Sequence, residues 1–188
     1  MNLSFQDMKI VFYGWRMLGV ALPTYCSSEP TYPLLLSKSR NLFKLFLSDV
    51  DLLASMYMDG IQLKILNKEK DINFGSIYEN VAAQELKSNG YDLYYFNSKK
   101  QGELDFLIEY NGEVLPIEIK SGKDYVKHAA LNNVINNEQY NIKQAYVFGN
   151  TNIKVIRKIT YYPIYMLMFV KNEKVNTNIY KINIDVLK

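Results

Sequence analysis

The sequence predicts an α/β fold whose core runs helix, three-strand meander, helix, strand. Three observations predict it. Between Ser76 and Asn89-Gly90, Ile77, Val81, Ala82 and Leu86 recur at helical spacing. Asn111-Gly112 separates two apolar-rich runs, the strongest short-range signal of a hairpin. A second helical pattern over 125–139, carrying Val126, Ala129, Ala130, Leu131, Val134 and Ile135, precedes a short apolar run at 144–148.

Each element follows in order. Over 8–22 and 42–58, apolar residues stand at mixed helical spacing. Leu42, Phe43, Leu45, Phe46, Val50, Leu53 and Ala54 form a broad stripe that predicts a helix. Pro23, Pro30 and Pro33 mark 23–39 as an irregular connection. Residues 67–73 are polar and read as a boundary. Ser76 followed by Glu79 has the spacing of a capping box, and Asn89-Gly90 stops the helix. Strands are expected at 91–96, 103–110 and 113–120, then the helix at 125–139 and a strand at 144–148. Residues 161–170 read as strand or helix, and 178–187 alternate like a strand.

The two-residue loop sets a register in which Tyr110 faces Glu113. One face then pairs Ile108 with Leu115, Phe106 with Ile117 and Leu104 with Ile119. The other pairs Glu109 with Val114, Leu107 with Pro116, Asp105 with Glu118 and Glu103 with Lys120. Directly opposed residues have Cβ atoms roughly 4.5–5.5 Å apart, so Asp105 and Glu118 repel unless a cation lies between them. Two carboxylates with Lys120 beside them can hold a divalent metal next to a fixed cation. Glu103 opposite Lys120 reads first as a cross-strand ion pair. Pro116 cannot donate a ladder bond and predicts a bulge or a strand with one side unpaired.

Composition narrows the chemistry. The 188 residues are 48% hydrophobic and 22% charged, as in a folded soluble domain rather than a disordered one. No apolar run reaches the ~18 residues of a membrane span, and no basic stretch precedes an apolar N-terminal core, so a cytoplasmic protein without membrane contact is expected. A single cysteine, Cys26, excludes an internal disulfide. With His128 as the only histidine, a zinc site of the usual composition is not expected. A metal would be held by carboxylates, hence magnesium or manganese. The net charge of +3 is weakly basic, and only Arg16, Arg40 and Arg157 are arginines, so no dedicated base-reading surface is evident. His128 reads as a packing or surface residue. Lys99-Lys100 and the lysines of 123–127 read as solvated surface that could touch phosphates.

Asp105, the tripeptide Glu118-Ile119-Lys120 and Glu79 resemble the signature of the PD-(D/E)xK nuclease superfamily. The strings Gly75 to Leu86, Glu103 to Ile108 and Pro116 to Gly122 resemble, within it, a domain of unknown function that lies C-terminal to the ATPase of prokaryotic AAA-type ATP-binding proteins. Flanking strings, Lys44 to Leu53 and Tyr162 to Leu167, are similar too, with Asp51-Leu52-Leu53 where that family carries Gly-Leu-Leu. The resemblance implies a restriction-endonuclease-like αβββαβ core over 71–188, with a C-terminal extension. It implies a mostly helical segment over 1–70, a partial winged-helix remnant. Asp105 and Glu118 would hold magnesium or manganese, Lys120 would orient water or stabilise charge on the phosphate, and Glu79 would support the metal. The implied substrate is a DNA phosphodiester, and the implied partners are DNA and an ATPase domain. Gly122-Lys123-Asp124 lacks the hydroxyl and upstream glycine of a phosphate-binding loop, so this chain is not expected to hydrolyse ATP. The alternative is a catalytically silent module that binds DNA or protein and regulates an ATPase.

Overall fold

A computed structural model describes residues 17–56, 74–122 and 124–172, together with Gly14 and Asn67. In chain order it contains β1 (Ala21–Ser27), β2 (Lys38–Leu47), α1 (Val50–Met56), α2 (Gly75–Ser88), β3 (Tyr94–Ser98), β4 (Gly102–Tyr110) and β5 (Glu113–Ile119). Then come α3 (Ala129–Asn136), a 3-10 turn (Glu138–Tyr140), β6 (Ala145–Gly149), β7 (Lys154–Ile156), β8 (Ile159–Pro163) and a 3-10 helix (Ile164–Phe169). The class is α/β, and the order from α2 to β6 is the helix, meander, helix, strand of the sequence. The strand expected at 178–187 and most of the helically spaced stretch over 8–22 lie outside the described residues. No helix among the described residues is long and apolar enough to cross a membrane.

The eight strands of the described residues form one mixed sheet in the order β2-β1-β3-β4-β5-β6-β8-β7. β1 runs parallel to β3, and β6 runs parallel to both β5 and β8. The N-terminal part therefore departs from expectation. The helix expected over 42–58 divides into the end of β2 and the short α1, and β1 occupies part of the expected irregular connection. Short apolar runs fit helix and strand periodicities alike. Here pairing with β1, from Ala21 opposite Leu47 to Tyr25 opposite Phe43, decides for the strand. Pro23 is tolerated because β1 acquires β3 as a second neighbour only from Tyr25 onward.

The hairpin register is observed as expected. Tyr110 faces Glu113, and the ladder continues to Phe106 opposite Ile117. Asn111 and Gly112 both have positive φ, 51° and 81°, the geometry of a type I′ turn. Pro116 lies where β5 has only β4 beside it, since β6 joins at Ile117. One pairing differs. Between Tyr94 opposite Leu107 and Phe96 opposite Leu104, β4 uses one residue more than β3. This bulge at Asp105–Phe106 breaks the two-residue alternation. Leu104 consequently joins the cluster under α3, while Ile119, its expected partner, joins the cluster under α2.

Helices cover both sheet faces. Ala82, Ala83 and Leu86 of α2 pack on Phe106, Ile108, Leu115 and Ile117, and Leu131 and Val134 of α3 pack on Leu104, Leu107 and Val147. α3 is shorter than the expected 125–139, because the chain before it is held by a turn in which Lys127 N–H donates to the Asp124 carbonyl. α2 is tied to the end of β2 by Asn80. Its Oδ1 accepts from the Leu47 N–H at 2.8 Å, and its Nδ2 donates to the Leu47 carbonyl at 2.9 Å. Asn80 is 2% exposed. Asn80→Ala strands both backbone groups, so a loss of about 2 kcal/mol is expected in urea unfolding. An unchanged midpoint would refute this tether.

Candidate functional site

The acidic residues meet where the β4–β5 ladder ends. At the bulge, the half-buried Asp105 does not simply face Glu118. Its Oδ2 accepts the Ile119 backbone N–H at 2.7 Å, taking the place of a ladder carbonyl. That bond draws its carboxylate to the backbone one residue beyond Glu118. Glu118 is 6% exposed. Its Oε1 accepts from Lys120 Nζ at 2.7 Å, whereas its Oε2 is buried without a hydrogen-bond partner. Lys120 is held from β6: its N–H donates to the Phe148 carbonyl at 2.8 Å. A Cβ on Gly149 would lie 3.0 Å from the Lys120 carbonyl oxygen, so glycine permits this close approach.

Burial and like charge shape the titration of these groups. Desolvation raises the Glu118 carboxyl to about 7, and Asp105's charge adds to that, against the opposing pull of Lys120. Asp105 is also raised by burial, opposed by the Ile119 N–H and the charges of Lys120 and Lys44. Both shifts have the sign expected of carboxylates that lack enough neighbouring positive charge.

Two expectations from the sequence change here. Ser76 is not the N-cap of α2, which is Phe74, so Ser76 and Glu79 do not form a capping box. Glu79 instead lies within electrostatic reach of the acidic cluster. Its carboxyl is raised first by burial and next by Asp105, while Lys44 and Lys120 act to lower it. Glu103 does not pair with Lys120. The bulge and the ladder's end separate them, and Glu103 pairs with Lys44 and accepts from Asn97 Nδ2 at 2.9 Å. Lys120 pairs with Glu118. His128 is a packing residue, as expected: it is 6% exposed, and its Nε2 lies 2.6 Å from the Tyr161 hydroxyl. Lys127 is exposed and pairs with Asp124.

Lys44 is the site residue that sequence reasoning did not select. It stands on β2, far upstream, and the sole signal was its place at the head of the string Lys44 to Leu53. Its ammonium pairs with Glu103 and lies 5.0 Å from the centre of the Tyr95 ring. The centre thus collects Glu79, Glu103, Asp105 and Glu118 around Lys44 and Lys120, an excess of two negative charges when all are ionised.

The donor set suits a hard divalent cation. The orphaned Glu118 Oε2 and the mutual repulsion of Asp105 and Glu118 are what such a cation relieves. Among the described residues, no group of three or more His, Cys, Asp or Glu side chains is placed to hold a metal ion. Two carboxylates would leave the remaining positions to water and phosphate oxygens, the usual arrangement for magnesium.

A family model described as a domain of unknown function (DUF4143) matches residues 74–167, which include Glu79, Asp105, Glu118 and Lys120. No curated protein and no solved structure matches the chain.

Proposed function

The chain belongs to the DUF4143 family, whose activity is unknown, and we propose that it is a divalent-metal-dependent hydrolase of DNA phosphodiesters, a member of the PD-(D/E)xK group. The observation that carries this is the buried Glu118, raised by the charge of the half-buried Asp105, with Lys120 at 2.7 Å and an orphaned Glu118 oxygen. Asp105 and Glu118 would hold magnesium or manganese, which supplies an activated water and offsets phosphate charge. Lys120, anchored by β6, orients that water or meets charge developing on the phosphate. Glu79 adds negative charge from α2 and supports the metal.

Calorimetric titration with manganese tests the site. Saturable binding to the wild type, lost in the doubly substituted Asp105→Ala, Glu118→Ala protein, is the expected result. Cleavage of DNA in manganese should fall at least ~100-fold in Lys120→Ala. Cleavage that survives both Asp105→Ala and Lys120→Ala would sink the proposal.

One observation favours a second reading. Glu118 already has a cationic partner within the chain, the ammonium of Lys120. In this reading the domain binds DNA, or a protein partner such as an ATPase, without cutting. It predicts a DNA gel shift that Asp105→Ala leaves unchanged and no metal-dependent cleavage in the wild type.

A further inference from the structure

We infer that Lys44, contributed by the N-terminal strand β2, is a phosphate-binding residue of the carboxylate centre, forming with Lys120 a clamp of two cations across one phosphodiester. This deepens the hydrolase proposal and rests on it for the identity of the anion, a DNA backbone phosphate.

The geometry has three parts. First, Lys44 reaches Glu103, two residues before Asp105 on β4, while Lys120 reaches Glu118 from a different strand. Lys44 comes from β2 at the sheet edge, and Lys120 follows β5 in its middle. Both charges act on Asp105 and on Glu79, so both reach the same acidic cluster. Second, Lys44 is held but not sealed. Its side chain is 26% exposed, and its partner Glu103 is 43% exposed. Glu103 is itself steadied by Asn97, and Tyr95 presents its ring to the ammonium. A partly exposed ion pair contributes little to stability, so Lys44 can exchange Glu103 for a phosphate oxygen at small cost. Third, a bound divalent cation removes the excess negative charge that would repel a phosphate. A divalent cation at Asp105 and Glu118 cancels the excess of two negative charges. The centre is then neutral, and an incoming phosphodiester adds a negative charge that the two ammonium groups flank.

β2 is kept in place by the Asn80 tether between Leu47 and α2, close to Glu79 on the same helix. The N-terminal hairpin is therefore a structural part of the site. The family match begins at residue 74 and does not include Lys44.

The test uses the full chain and a short fluorescent DNA duplex. Binding is followed by anisotropy in calcium, and cleavage is followed separately in manganese. Lys44→Met is expected to weaken binding at least about fivefold and to reduce the slope of log affinity against log salt by about one. Lys44→Arg should restore both. Glu103→Gln, which frees Lys44, should tighten binding and provides an independent readout if Lys44→Met folds poorly. Unchanged affinity and slope in Lys44→Met, or weaker binding in Glu103→Gln, would overturn the inference, as would a wild type that does not bind. The two proposals fail differently. A wild type that binds through Lys44 yet never cleaves removes the hydrolase and keeps the phosphate contact. Cleavage lost in Asp105→Asn but untouched in Lys44→Met, with binding also untouched, does the reverse.

Discussion

Replacing Glu118 with glutamine is expected to stabilise the metal-free protein at pH 8 by about 2–3 kcal/mol and to leave its stability at pH 4 nearly unchanged. The cause is the burial of an acid beside another acid, which raises Glu118 from 4.5 to about 7. The folded state therefore binds a proton more tightly than the unfolded chain. Its contribution is fully present below about 4.5 and is lost as pH rises through about 7. Glutamine has no charge to bury, so the variant escapes that loss, and its oxygen can still accept from Lys120. In thermal denaturation the gain amounts to roughly 5–10 °C for a chain of this size. Adding magnesium or manganese at pH 8 should raise the wild-type midpoint and leave the Glu118→Gln midpoint where it was. A wild type that is equally stable at pH 5 and pH 8, and indifferent to metal, would contradict both the site and its electrostatics.

Asp105 separates activity from structure in a second experiment. Asp105→Asn keeps an oxygen that can accept the Ile119 N–H, now 2.7 Å from Oδ2. Its stability should stay within ~1 kcal/mol of the wild type, while manganese-dependent cleavage falls at least about 100-fold. Asp105→Ala removes the acceptor as well. The Ile119 N–H is then left unpaired at the ladder's end, which adds about 1–3 kcal/mol of destabilisation. Equal melting midpoints for the two variants would show that the Ile119 bond is not structural. Wild-type cleavage by Asp105→Asn would remove this residue from the chemistry.

Much of the core was legible because its signals are local. Asn111-Gly112 adopts positive φ, and its two-residue loop left a single register for Tyr110 to Phe106. Pro116 marked a one-sided stretch of β5, since proline has no ladder donor. The end of α2 was equally clear at Asn89-Gly90, where Gly90 has φ 89°. The start of α2 was not. Ser76 and Glu79 have the spacing of a capping box at any helix start, and Phe74 took the N-cap position.

The amino-acid order by itself determined the αβββαβ sequence of elements, the hairpin register and the meeting of Asp105, Glu118 and Lys120 near one strand end. All of these depend on residues close in sequence or joined by one tight turn. Only the tertiary structure decided that 38–47 is a strand, that β4 bulges at Asp105, and that Glu103 turns from Lys120 to Lys44. An apolar run of that length satisfies both periodicities until a partner strand bonds to it. The bulge shows only in the pairing of β4 with β3, where β4 uses one residue more. Lys44 enters the site through strand order, which places a distant hairpin beside β3, and no local pattern encodes that order.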